Sequence, residues 1–211
     1  VPITQRMGLT YGSDSSMGFT KKQVLTLIAL CLVGVPPFIG FQSKWALAVA
    51  PVNSGDWLGV ASVAVLFYQA LTEKTVKLDE EQENPFSDVT AEDKDVLMAY
   101  QLGIVNGMGD GTFGVNGTLT REQAVTMLGR VVELVENGAI AKGEAGGLAL
   151  KKGAKKVTFT DAGAMGGWAK NYVEYFVSHG VIDGMGNGTF APKNNMTREQ
   201  AMKVAVEALG K

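Results

Sequence analysis

Side chains able to do covalent or metal chemistry are few in this 211-residue chain. Its one histidine, His179, stands directly before Gly180, and its one cysteine, Cys31, lies inside an uncharged run. A lone cysteine permits neither an intrachain disulfide nor a cysteine-based zinc site. Any Ser-His-Asp triad would have to be built on His179. Its place before a glycine suits instead a helix end, where a cation complements the dipole. Asp110-Gly111-Thr112 lacks the spaced oxygens of a calcium loop. The glycine- and lysine-rich stretch 136–156 lacks the Gly-x-x-x-x-Gly-Lys-Ser/Thr pattern of a phosphate cradle. The acids between Asp79 and Asp95 read as a solvated linker and helix start rather than an acid/base pair. A net charge of −2 gives no electrostatic case for nucleic acid. The expectation is a protein without a cofactor, a metal or a catalytic constellation.

What recurs instead is a pattern of turn, cap and aromatic residues. The block from Gly103 to Phe113 (Gly-Ile-Val-Asn-Gly-Met-Gly-Asp-Gly-Thr-Phe) matches the block from Gly180 to Phe190 at an offset of 77 residues. Thr120-Arg121-Glu122-Gln123 and Thr197-Arg198-Glu199-Gln200 keep that offset, whereas Phe86-Ser87-Asp88 and Phe159-Thr160-Asp161 stand 73 apart. Copy two thus carries four extra residues before its glycine block. Each copy reads as helix, glycine-rich turn, helix. Val96, Leu97, Tyr100 and Ile104 give one apolar stripe, and Trp168, Tyr172, Tyr175 and Phe176 give the other, closed by Gly103 and Gly180. Asp110-Gly111 and Asn187-Gly188 are tight-turn signals, with Phe113 and Phe190 behind them as core plugs. Thr120 with Gln123, and Thr197 with Gln200, form capping boxes. Behind them Ala124, Met127, Leu128 and Val131, and Ala201, Val204 and Ala205, follow at helical spacing and read as core.

The Phe-x-Asp opening, the glycine block, the Gly-Thr-Phe turn and Thr-Arg-Glu before a helix resemble the S-layer homology (SLH) family, over about 85–135 and 157–211. The resemblance implies a mostly helical fold and a non-enzymatic place at the bacterial cell surface. It implies binding to secondary cell-wall polysaccharide or peptidoglycan, in grooves lined by the Thr-Arg-Glu residues and nearby helix termini. Carried onto this chain, the groove residues are Arg121 and Arg198, with Thr120, Thr197, Trp168 and Asp110. A guanidinium holds a carboxylate by a forked pair of hydrogen bonds, and open amides at the same helix start would add attraction for an anion. A purely structural role would have the motif cap its helix, with Arg121 paired to Glu122 or Asp110, and Trp168 packed in the core. Two departures stand out. Family members usually carry three repeats where this chain has two, and copy one has Ala91 near the place of Trp168 and Gly114 where copy two has Ala191-Pro192.

The N-terminal third reads differently. Residues 23–43 carry no charge and are flanked by Lys21-Lys22 and Lys44, a length able to span a bilayer but interrupted by Pro36-Pro37. A second apolar stretch runs from Trp57 to Thr72, with Trp57 and Tyr68 suited to membrane interfaces. The segment 18–71 resembles part of the membrane subunits shared by respiratory complex I and Mrp-type cation/proton antiporters. That resemblance implies a place for Lys44 on a proton path within a broken transmembrane helix. The rival reading is a secretory signal: Lys21-Lys22, an apolar run from Val24 to Val35, and small residues at 46–50. Were both apolar stretches to cross a membrane, the repeats would return to the cytoplasmic side. Either one stretch crosses, or this third is a fused remnant.

The expected architecture is mainly α: two helix-turn-helix repeats preceded by one or two hydrophobic helices of membrane or signal type. Residues 1–75 form the hydrophobic segment, 76–84 an acidic linker, and 136–156 a flexible Gly/Lys-rich linker between the repeats. Three functions compete: a glycan-binding surface anchor, a membrane-transport fragment carrying a surface domain and attached through residues 23–72, and an assembly module pairing with other SLH chains.

Overall fold

The structure, a computed structural model, describes residues 57–79, 81–140, 146–152 and 158–210. The uncharged run 23–43, Lys44 and the signal-like features therefore lie outside the described residues. Five α-helices are present among those described: α1 (Trp57–Thr72), α2 (Lys94–Gln101), α3 (Arg121–Asn137), α4 (Gly167–Ser178) and α5 (Arg198–Leu209), with a 3-10 turn at Ala162–Ala164.

The apolar stretch read as a second membrane segment is α1, and it is a core helix. Val60, Ala61 and Ala64 are fully buried, and Val63, Val65, Phe67 and Ala70 nearly so. A helix apolar on all sides must be covered on all sides. Here protein covers it: α1 packs against α2, α3 and α5. At 16 residues it is also shorter than the ~20 a bilayer needs. No helix among the described residues is long and apolar enough to cross a membrane. Trp57 does not sit at a membrane interface either; its ring meets Phe113 edge-on at 5.5 Å.

The two copies are assembled alike. Helix α2, the first of copy one, rests on α1; helix α4, the first of copy two, rests on α3. The second helix of each copy, α3 or α5, then joins α1 in a three-helix bundle. Both bundle helices begin as their sequences require. Thr120 and Thr197 accept from the backbone N–H of Gln123 and Gln200, and each glutamine side chain reaches back to its threonine N–H. Leu119 and Met196, directly before the caps, are buried. A short antiparallel bridge, Thr120 to Asn195, ties the two helix starts together.

Close approach of α3 and α4 depends on Gly129. A Cβ there would come within 2.5 Å of the Tyr172 ring. Tyr172 donates its hydroxyl to Glu133 Oε2 at 2.6 Å, and Tyr175 donates to Glu136 Oε1 at 2.7 Å. Burial, then the Glu133 carboxylate, pushes the Tyr172 hydroxyl well above its ordinary pKa, so it stays a donor. Residues 146–152, inside the stretch read as a flexible linker, are held against this pair. Gly147 N–H donates to Glu133 Oε1 at 2.7 Å, and Leu148 exchanges two 3.0 Å bonds with the Asn171 amide. Leu148 is buried. One apolar side chain and one side-chain amide anchor a segment whose composition alone suggests none.

Placing a charge on α1 tests its membership in the bundle. Ala64→Glu should cost about 3 kcal/mol or more in urea unfolding, the scale of an unpaired buried charge. The exposed change Lys74→Glu should be nearly silent.

Candidate functional site

Both glycine loops are closed by a carboxylate from the Phe-x-Asp opening. Asp88 accepts from Phe113 N at 2.7 Å, Gly114 N at 2.8 Å and Val115 N at 3.0 Å. Asp161 accepts from Phe190 N at 2.9 Å and Ala191 N at 2.7 Å. The Phe113 bond is the largest influence on Asp88 and, with those from Val115 and Gly114, outweighs partial burial to hold its carboxyl below the usual range. For Asp161 burial is the largest influence and pulls upward, but the two amides together prevail and its pKa is also lowered. Sequence reasoning used these aspartates only as a repeat marker. The signal for their role was their recurrence one residue past a phenylalanine that itself stacks on Phe113 or Phe190.

Asp110 belongs to the loop rather than to Arg121. Its Oδ1 accepts from Thr112 N at 3.0 Å and Thr112 Oγ1 at 2.6 Å. Asn187 does the same for Thr189, at 3.1 and 2.6 Å. The Thr112 hydroxyl, then its N–H, holds the Asp110 carboxyl below its ordinary value.

A groove forms where the start of α3 meets the loop of copy two. Arg121, its first residue, is 9% exposed. Arg121 Nε donates to Phe190 O at 2.9 Å, and the guanidinium lies 4.9 Å from the centre of the Phe190 ring. Burial draws its pKa down from the ordinary arginine value; from that height it remains a cation at neutral pH. Neither Glu122 nor Asp110 pairs with it. Glu122, buried, accepts instead from Lys193 Nζ and, through Oε2, from Gly166 N at 2.9 Å. The indole of Trp168 covers Gly166, where a Cβ would fall 2.5 Å from Trp168 Nε1. Arg121, Glu122, Lys193 and Trp168 are thereby gathered at one seam between the copies.

The expectation of open amides beside the arginine fails at α3. Arg121 N–H donates to Asn194 O at 2.8 Å and Glu122 N–H to Pro192 O at 3.2 Å, while Gln123 N–H goes to Thr120. The returning loop of copy two supplies carbonyls that a local reading of the helix start could not foresee. At α5, Thr197 caps Gln200, Arg198 is 7% exposed, and Glu199 and Gln200 are exposed, unlike buried Glu122. Trp57 stands at the first position of α1, the place Arg121 holds on α3, and it packs on Phe113 as Arg121 packs on Phe190. His179 closes α4, as its position before Gly180 suggests, with Nδ1 2.9 Å from Tyr175 O. No cluster of His, Cys, Asp or Glu able to hold a metal exists among the described residues.

Removing the loop-closing carboxylates should loosen both loops. Asp88→Ala and Asp161→Ala should each cost about 1–2 kcal/mol in chemical denaturation, since partly exposed amides lose a charged acceptor. Because both pKa values are lowered, this stabilisation is complete above the ordinary aspartate value of 3.8 and is lost as pH falls through the lower folded value. The variants should therefore show a shallower stability loss in acid than the parent. Asp110→Asn should be neutral for folding, since Asn187 already does the same work in copy two.

Comparison with known proteins agrees with this geometry. The S-layer homology domain family matches residues 85–125 and 158–202. Among curated proteins, the "Cell surface protein" of Thermoanaerobacter kivui is 31% identical over 129 residues, covering 60% of this chain and 15% of the relative. An endoglucanase of Bacillus sp. is 32% identical over 118 residues, 56% of this chain and 11% of the relative. A shorter match, 39% over 54 residues, is with NADH-quinone oxidoreductase subunit N of Desulforudis audaxviator, covering 23% of this chain and 11% of that protein. The chain thus spans only a small part of the relatives it matches. The two copies, at residues 85–125 and 158–202, are S-layer homology domains.

Proposed function

We propose that this chain anchors a protein to the bacterial cell surface by binding an acidic wall glycan in the groove between its two SLH copies. The observation that carries this reading is the state of Arg121. Its Nε is spent on Phe190 O, and its η nitrogens have no hydrogen bond among the described residues. A buried cation with a fixed orientation and a free outer edge is preorganised for a carboxylate. Lys193 adds exposed positive charge at the rim, and Trp168 offers an aromatic face for a sugar ring. Arg198 is the second arginine of the proposal. Thr120, Thr197 and Asp110 position it and Arg121, through the caps and the loop, more than they touch sugar.

Anchoring at the cell surface fits the names of the relatives. The T. kivui protein is a cell surface protein, and a further relative, 30% identical over 120 residues, is a surface layer protein of Brevibacillus choshinensis. On this reading the chain contributes attachment and no catalysis.

Cosedimentation with wall sacculi tests the proposal. The full chain should bind native sacculi and lose binding once the secondary polymer is stripped. Arg121→Ala should weaken retention about tenfold, the scale of one charge-assisted contact. Arg121→Lys should not restore it, because the ammonium lacks the fork. Unchanged retention in an Arg121→Ala, Arg198→Ala double variant, with folding intact by circular dichroism, would refute the assignment.

A further inference from the structure

Copy one also has a groove, at the start of α1, and its chemistry is not that of the seam at α3. Where α3 places Arg121 against Phe190, α1 places Trp57 against Phe113. The sequence offset of 77 matches exposed Lys193 with exposed Asn116, and neutral Asn187 with Asp110. On α1, Leu58 stands at the position of Glu122. Counting these four positions, the α3 groove carries Arg121, Lys193 and Glu122, whereas the α1 groove carries only the Asp110 carboxylate.

The apolar surface also differs. Met108 is 53% exposed, and its Sδ lies 3.6 Å from the point where a Cβ on Gly114 would stand; Trp57 Nε1 lies 3.7 Å from that same point. Trp57 Nε1 is also 3.3 Å from a Cβ placed on Gly117. Two glycines thus leave the indole and the thioether side by side, joined over Gly114. In copy two Ala191 and Asn194 stand at these positions, with Met185 50% exposed beside them.

We infer that the α1 groove is a second saccharide subsite, selective for an uncharged pyranose ring stacked on Trp57 and Met108, while the α3 groove takes the acidic residue. The inference rests on the glycan-binding reading above. The apolar face of a sugar ring fits an aromatic flanked by a polarisable thioether. Asp110 disfavours a carboxylate there. A polymer that alternates acidic and neutral sugars would engage both grooves, and effective concentration would raise its affinity above that of either alone.

The test uses the 15N-labelled full chain and two probes: a neutral N-acetylhexosamine tetrasaccharide, and the same tetrasaccharide bearing one carboxylate. The neutral probe should shift the Trp57 indole N–H resonance and leave that of Trp168 in place. The acidic probe should shift Trp168 and Arg121 Hε. Trp57→Arg with Asp110→Asn, which copies the α3 groove and so should remain folded, should lower neutral-probe affinity and raise acidic-probe affinity, each about tenfold. If the acidic probe binds at the α3 groove while the neutral probe leaves Trp57 unmoved, the second subsite is refuted and the first stands. If the double variant leaves the neutral-to-acidic ratio unchanged, the selectivity is likewise refuted. If neither probe binds, both readings fall together.

Discussion

Each SLH copy in this chain rests its first helix on a helix that the copy does not itself contain. A helix-turn-helix unit cannot cover both of its apolar faces, so it borrows a surface from its neighbour. Copy two borrows from α3 of copy one. Copy one has no preceding SLH copy among the described residues, and α1 fills that role. Two copies thus need three bundle helices, and the third comes from outside the segments that match the family. This is also why α1 is apolar all round: it faces α2 on one side and the bundle on the others.

The same arrangement sets the electrostatics. Where a bundle helix starts, its first residue meets the aromatic loop of the copy that follows. At α3 that residue is a cation, and its desolvation is offset by a carbonyl and a ring face rather than by a carboxylate. Leaving the arginine without an internal anion keeps its charge available to an external one. Glu122, which would otherwise be the nearest acid in sequence, is instead engaged by Lys193 and Gly166 N. At α1 the first residue is an indole, and the groove loses its cation. The two halves of one repeat pattern therefore present different surfaces.

Much of this was legible in the sequence. The capping boxes, the glycine turns, the buried phenylalanines and the helix end at His179 follow from local chemistry, and the structure has each of them. The bundle role of α1 was not legible. A short run apolar on every face fits a protein interior as well as a membrane, and periodicity does not separate the two. The partners of Arg121 were hidden for another reason: Phe190 O lies 69 residues away, and only the docking of copy two brings it near. Asp88 and Asp161 were visible as a recurring pair, but their work on the loop amides spans more than twenty residues in each copy. Leu148 and Asn171 meet across 23 residues within a stretch whose composition suggests only a tether.

The central claim is that the outer edge of Arg121 is held ready for an anion. Its most direct measurement is the Arg121 Hε resonance, and the amide resonance of Gly166 beside it, during titration with soluble acidic wall polymer. The account predicts saturable shifts at both, reduced by salt and abolished when the polymer's acidic groups are esterified. Shifts confined to other surfaces, or shifts at Arg121 that survive esterification unchanged, would contradict it.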